Sequence, residues 1–117
     1  MRITVTDKLV ARTVAEGSAV TFTVKFYADS SEPWTLTAPT TIRYRLDNPE
    51  TGEQIIDWTT VSPASSVSIT IAGTANTLVS YRDRARRELL IEADAGLSTQ
   101  YRKTHRFWVS TNAVEAA

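Results

Sequence analysis

Apolar residues in this chain recur at every second position. Across Val20–Tyr27, Val20, Phe22, Val24 and Phe26 alternate with Thr21, Thr23, Lys25 and Tyr27, the period of a strand with one buried face and one wet face. Ile42, Tyr44 and Leu46 alternate with Arg43 and Arg45 in the same way, and Asp47–Gly52 then gathers the residue types that make turns. Gln54–Val61 returns as a second β-rich run, so Thr41–Val61 reads as a complete hairpin. Further on, Val67, Ile69 and Ile71 alternate with Ser68 and Thr70 up to Gly73. Glu88–Ala95 presents Leu89, Ile91 and Ala93 on its inner face. In Tyr101–Ser110, Tyr101, Lys103, His105, Phe107 and Val109 share one face, opposite Arg102, Thr104, Arg106 and Trp108.

The remaining segments are weaker. Arg2–Thr6 alternates and is expected to continue past Asp7-Lys8 through Leu9–Thr13, before a turn at Ala15–Ser18. Asp29–Pro33 is a loop leading to a short extended piece, Trp34–Thr37, ended by Pro39. Only Thr74–Arg87 resists the strand pattern and is read as a crossover loop between sheets, with Leu78 or Val79 plugged into the core. Turn residues every 8–12 positions and no βαβ pattern predict an all-β fold, an immunoglobulin-like or fibronectin-III-like antiparallel β-sandwich of about seven strands. It is expected to form one domain over residues 1–111, followed by a flexible tail over 112–117.

Composition narrows the chemistry. A chain of 117 residues hides roughly 65% of its unfolded surface, enough for one core without a metal or disulfide staple. The absence of cysteine rules out disulfide frameworks, cysteine–zinc sites and cysteine nucleophiles. Thirteen basic residues balance thirteen acidic ones, so global charge does not argue for nucleic acid or an anionic membrane. The apolar runs fall far short of the ~20 residues that span a bilayer, and Met1–Asp7 has no apolar core of signal-peptide length. Synthesis in the cytoplasm without general secretion is the expectation.

Candidate chemistry is sparse. His105 is the sole histidine, and no G-x-S-x-G elbow accompanies it, so an ordinary strand residue is expected there. Glu50, Glu53 and Asp57 cluster around the hairpin, but a small sandwich leaves little material for the cleft a glycosidase carboxylate pair needs. Asp47, Asn48, Glu50 and Glu53 offer oxygen ligands without the D-x-D-x-D-G spacing of a calcium loop. They read as solvated turn residues. No catalytic, metal or cofactor residue is assigned, and no cofactor is expected.

Two features suggest contact with a partner. Tyr81, Arg82, Arg84, Arg86 and Arg87 form a local basic cluster, interrupted by Asp83 and followed by Glu88. It suits either the rim of a protein interface or a solvated face, with a nucleic-acid or phosphate contact a third reading. Trp108 and Tyr27 fall opposite the core positions of their strands, and Trp34 lies in a loop, where it either faces outward or folds back as a lid. Large outward aromatics are over-represented at interface hot spots. Trp58 shares parity with Ile56 and is expected in the core.

The order of segments carries a resemblance. AVTFTVKF, a Pro-Trp loop, TIRYRLDNPETGEQIIDWTTV, SVSITIAG, NTLVS, RRELLIEADAG and a final aromatic-basic strand together resemble small immunoglobulin-like proteins of the structural gene modules of tailed bacteriophages. The resemblance spans about Val20 to Val109. It implies a non-enzymatic virion component, a capsid decoration, head–tail or tail accessory protein, whose partners are capsid, connector or tail proteins and copies of itself. It brings no catalytic residues. A carbohydrate- or host-surface-binding sandwich, with Trp34 and Trp108 as stacking platforms for a glycan, is the alternative.

Overall fold

The alternating segments become strands in the computed structural model, which describes residues 2–28, 35–78, 84–98 and 100–110. They are β1 (Arg2–Thr6), β2 (Thr13–Ala15), β3 (Val20–Tyr27), β4 (Ile42–Asn48), β5 (Glu53–Val61), β6 (Ser66–Ile71), β7 (Arg84–Ala93) and β8 (Tyr101–Ser110). A 3-stranded sheet of order β1-β3-β6 faces a 5-stranded sheet of order β2-β8-β7-β4-β5. This is the expected all-β sandwich, with strands consecutive in sequence repeatedly crossing between sheets.

The core lies where the inner faces meet. Phe22, Val24 and Phe26 come from β3, Ile69 and Ile71 from β6, and Ile42, Leu46, Leu89, Ile91, Phe107 and Val109 from the larger sheet. Phe22 bridges the two layers, its ring centroid 5.3 Å from that of Phe107 and 5.2 Å from the edge-on His105 ring. Cross-strand pairs such as Val24 with Val67 and Phe22 with Ile69 keep the apolar residues in register.

Three departures from the sequence expectation follow from backbone geometry. The opening segment does not continue as one strand. Ala11 (φ 51) and Arg12 (φ 53) both take the left-handed conformation between the bridged residues Val10 and Thr13, and β2 then pairs parallel to β8, Thr13 opposite Trp108. The sandwich therefore has eight strands among the described residues, one of them parallel to its neighbour. Such a turn normally takes Asn or Gly, and neither stands at 11 or 12, so the sequence carried no turn signal. Each left-handed non-glycine residue costs about 1–2 kcal/mol. Backbone bonds from Thr13 N–H to Val10 O (3.1 Å) and from Trp108 N–H to Arg12 O (2.7 Å) offset that cost.

Second, β7 begins at Arg84, four residues before the expected start at Glu88. Ala85 and Arg87 consequently point inward, with Arg84 and Arg86 outward. Third, β5 shifts register against β4 twice, once between the pairs Tyr44–Thr59 and Leu46–Ile56 and again before Asp47–Gln54. The first bulge inverts the parity of Trp58, which turns to the outer face instead of entering the core. Asp57 stabilises the bulge: its carboxylate accepts hydrogen bonds from Trp58 N–H (2.7 Å) and Gln54 Nε2 (2.8 Å).

Between β6 and β7 a 3₁₀ turn (Gly73–Ala75) packs on the Ala15–Ser18 turn. Gly17 N–H donates to Asn76 O (2.9 Å) and the fully buried Asn76 side chain donates to Ser18 O (2.9 Å). Leu78 packs against the core as expected of this crossover, while Val79 lies outside the described residues. A Cβ at Gly73 would stand 2.1 Å from the Gly17 carbonyl oxygen.

Two stability series check this packing. Phe22→Ala is expected to cost about 3–5 kcal/mol in denaturant unfolding, whereas Thr23→Ala on the wet face costs under about 1 kcal/mol. Gly73→Ala, which forces the two turns apart, is expected to lower stability by about 1–3 kcal/mol. An unchanged melting temperature for Gly73→Ala would show that the turns do not press together.

Candidate functional site

On the outer face of the larger sheet, the outward positions of β4, β7 and β8 carry Arg43, Arg45, Arg84, Arg86, Arg102 and Arg106, but only the carboxylates Asp47, Glu88 and Glu92. The sheet register aligns them in rows: Arg43, Glu92 and Arg102 across β4, β7 and β8, then Asp47, Glu88 and Arg106, then Arg86 beside Trp108. A chain of balanced total charge thus gathers an excess of arginine on one face.

Trp108 and the basic cluster meet there. The Arg84 guanidinium lies 3.7 Å over the Trp108 ring centroid and that of Arg86 4.8 Å away, cation–π geometry between cross-strand neighbours. Among the described residues no carboxylate is within ion-pair distance of Arg84 or Arg86. Their compensation comes from the indole. The bulge that turns Trp58 outward builds a similar stack at the other side of the sheet, with Arg43 at 4.1 Å and Arg45 at 5.3 Å. Parity arguments assigned Trp58 to the core. The signal for the second stack was present in the sequence as Arg43-Tyr44-Arg45, but not the bulge that brings Trp58 to it.

Arg87 corrects the expected surface cluster. It is 4% exposed, and its guanidinium donates from Nη2 to Thr77 O (2.8 Å), from Nη1 to Arg86 O (3.1 Å) and from Nε to Ala75 O (3.4 Å). Burial pulls its pKa below the usual arginine range, against the opposing charges of Glu53 and Glu50. Alternation in β7 makes it a buried tie to the crossover loop, unavailable to a partner. Tyr27 ends β3 on the outer face of the opposite, smaller sheet, half-buried and bridged to Leu36, so it does not share a surface with Trp108. Trp34, Tyr81 and Arg82 lie outside the described residues.

Glu92 is the residue that the sequence reading passed over. It stands at an outward position of β7 yet is fully buried, roofed by two arginines. Arg43 Nε donates to Oε1 (2.7 Å), and Arg102 Nε donates to Oε2. Burial on its own would raise the Glu92 pKa, but the hydrogen bonds and charges of Arg43 and Arg102 outweigh it and hold the carboxyl below the usual range.

The other candidates hold local roles. His105 Nε2 lies 3.0 Å from Asp7 Oδ2, tying β8 to the segment after β1. Asp47 pairs with Arg45 (2.8 Å), Asn48 Oδ1 accepts from Glu50 N–H (3.0 Å), and Glu50 Oε1 accepts from Arg86 N–H (3.0 Å). Among the described residues no group of three or more His, Asp or Glu side chains is arranged to hold a metal ion, and no helix is long and apolar enough to cross a membrane. No protein-family model matches the chain, and a search of curated proteins gave no match.

The Glu92 clamp has a pH signature. A folded pKa below the unfolded value of about 4.3 stabilises the fold above that pH, and the stabilisation is lost as pH falls through the folded value. Glu92→Gln is expected to cost about 2–3 kcal/mol at pH 7 and to flatten the loss of stability below pH ~4. Parallel acid-unfolding curves for the two proteins would show that the clamp does not govern acid stability.

Proposed function

We propose that this chain is a non-enzymatic assembly module, an immunoglobulin-like virion protein of a tailed bacteriophage that docks on capsid, connector or tail proteins. One observation carries the docking part: Trp108 is stacked by Arg84 and Arg86 on an open sheet face, and among the described residues no carboxylate lies within ion-pair distance of either guanidinium. Tryptophan and arginine are the residues most enriched at binding hot spots. Here they are already ordered against one another, so less side-chain freedom is lost on docking. The virion assignment rests on the order of segments from Val20 to Val109.

The carbohydrate reading is weaker on the same geometry. A sugar stacks on an open aromatic face, and Arg84 over Trp108 and Arg43 over Trp58 occupy one face of each ring.

Trp108→Ser tests the proposal. The expected result is a small loss of monomer stability, under about 2 kcal/mol, because the indole's partners are exposed arginines. Incorporation into particles, measured by mass spectrometry of purified virions, is expected to fall at least tenfold, the effect of truncating a hot spot. Normal incorporation of a folded Trp108→Ser protein would remove this face as the docking surface.

A further inference from the structure

Beside Trp108 the sheet edge opens into a pocket of about 270 Å³ lined by Ala11, Arg12, Arg86, Arg106, Phe107 and Trp108. Three arginines from three separate parts of the chain border it: the β1–β2 turn, β7 and β8. Arg106 Nε donates to Glu88 (2.9 Å), leaving its terminal nitrogens uncommitted by that bond. Among the described residues Arg12 and Arg86 have no carboxylate within ion-pair distance. Arg12 is brought here by the left-handed pair Ala11-Arg12, and that turn is held on the sheet by the bond from Trp108 N–H to Arg12 O (2.7 Å). Strained backbone of this kind persists where its surroundings over-determine it, and it concentrates at binding sites.

We propose that this pocket is an oxyanion site and that its occupant is an aspartate or glutamate side chain from an acidic segment of the docking partner. The proposal rests on the docking reading above and gives that surface a chemistry. Guanidinium forks match a planar carboxylate with paired hydrogen bonds, and gathering like charges around an unfilled pocket leaves a repulsion that a bound anion relieves. The wider face disfavours a nucleic-acid backbone. A polyanion strand is followed by a stripe of free cations, whereas away from this pocket Arg43 and Arg102 are tied to Glu92 and Arg45 to Asp47. The uncommitted charge is concentrated at the pocket and the Trp108 stack.

The experiment is an NMR titration of the full chain with hexaglutamate, following the Trp108 indole and the Arg12 amide. Saturable shifts confined to residues around the pocket are expected. Arg12→Gln and Arg86→Gln, both exposed, are expected to weaken binding about tenfold each, as loss of a charge-assisted pair does. Lys25→Gln, on the outer face of the opposite sheet, should leave affinity within twofold. No saturable shift, or equal losses from all three variants, would overturn the site. Tighter binding of inorganic phosphate or of oligo-dT than of hexaglutamate at the same signals would overturn the carboxylate assignment. Particle incorporation separates the two claims. A protein that binds hexaglutamate through Arg12 and Arg86 but never enters particles keeps the site and loses the docking reading. One that enters particles without binding hexaglutamate does the reverse.

Discussion

The register of β7 governs the rest of this molecule. The strand is paired along much of its length to β4 and along all of it to β8, so its alternation cannot drift. That alternation sends Ala85, Leu89, Ile91 and Ala93 into the core while Arg84, Arg86, Glu88 and Glu92 face outward. A slip of one residue would turn Arg84, Arg86, Glu88 and Glu92 toward the core and expose Leu89 and Ile91, a change no small core tolerates. The surface chemistry is therefore specified by the same hydrogen bonds that specify the core.

An arginine-rich sheet face is costly unless each charge is compensated, and this one uses two kinds of partner. Around Glu92 the compensation is ionic: one buried carboxylate serves two guanidiniums, and their side chains keep water from it. Around Trp108 the compensation of Arg84 and Arg86 is the aromatic quadrupole, which leaves the guanidinium edge free to donate. The distinction matters for binding. Arginines bound to Glu92 would have to break an ion pair to meet a partner, whereas those stacked on Trp108 meet one with their hydrogen-bonding edges unspent.

Much of the fold was legible because its strands alternate cleanly. Val20–Tyr27 and Val67–Ile71 each read correctly from period alone, and the hairpin turn at 49–52 declared itself through Pro49 and Gly52, although Asp47 and Asn48 belong to β4. Two of the failures share a cause, namely backbone irregularity that side-chain type does not advertise. The turn at Ala11-Arg12 uses left-handed residues that carry no turn signal, so the switch of β2 to the second sheet was invisible. The first bulge in β5, between Ile56 and Thr59, breaks the count that assigned Trp58 to the core. Arg84–Arg87 looked like a charged loop because a run of arginines masks period 2. Once it is known to be strand, Arg87 must turn inward, and it finds backbone carbonyls there instead of solvent. Glu92 was missed because burial of a carboxylate on an outer face depends on Arg43 and Arg102, which reach it from the two flanking strands β4 and β8.

The two outer faces of the sandwich differ in a way the net charge conceals. The smaller sheet presents hydroxyls in register, Thr6, Thr23 and Ser68 in one row and Thr21 with Thr70 in the next, the latter pair 3.0 Å apart. It carries few charges and can be wetted without competition between ions. The larger sheet concentrates guanidinium and indole. A module with one sparsely charged, hydroxyl-covered side and one cationic, aromatic side would approach the proposed partner in a preferred orientation. The long-range part of that preference is electrostatic and screened over about 8–10 Å at moderate salt. The short-range part belongs to the stacked Trp108, which salt does not weaken to the same degree. In the docking proposed above, encounter and retention would thus fall to different groups on the same face, the guanidiniums steering and the indole holding.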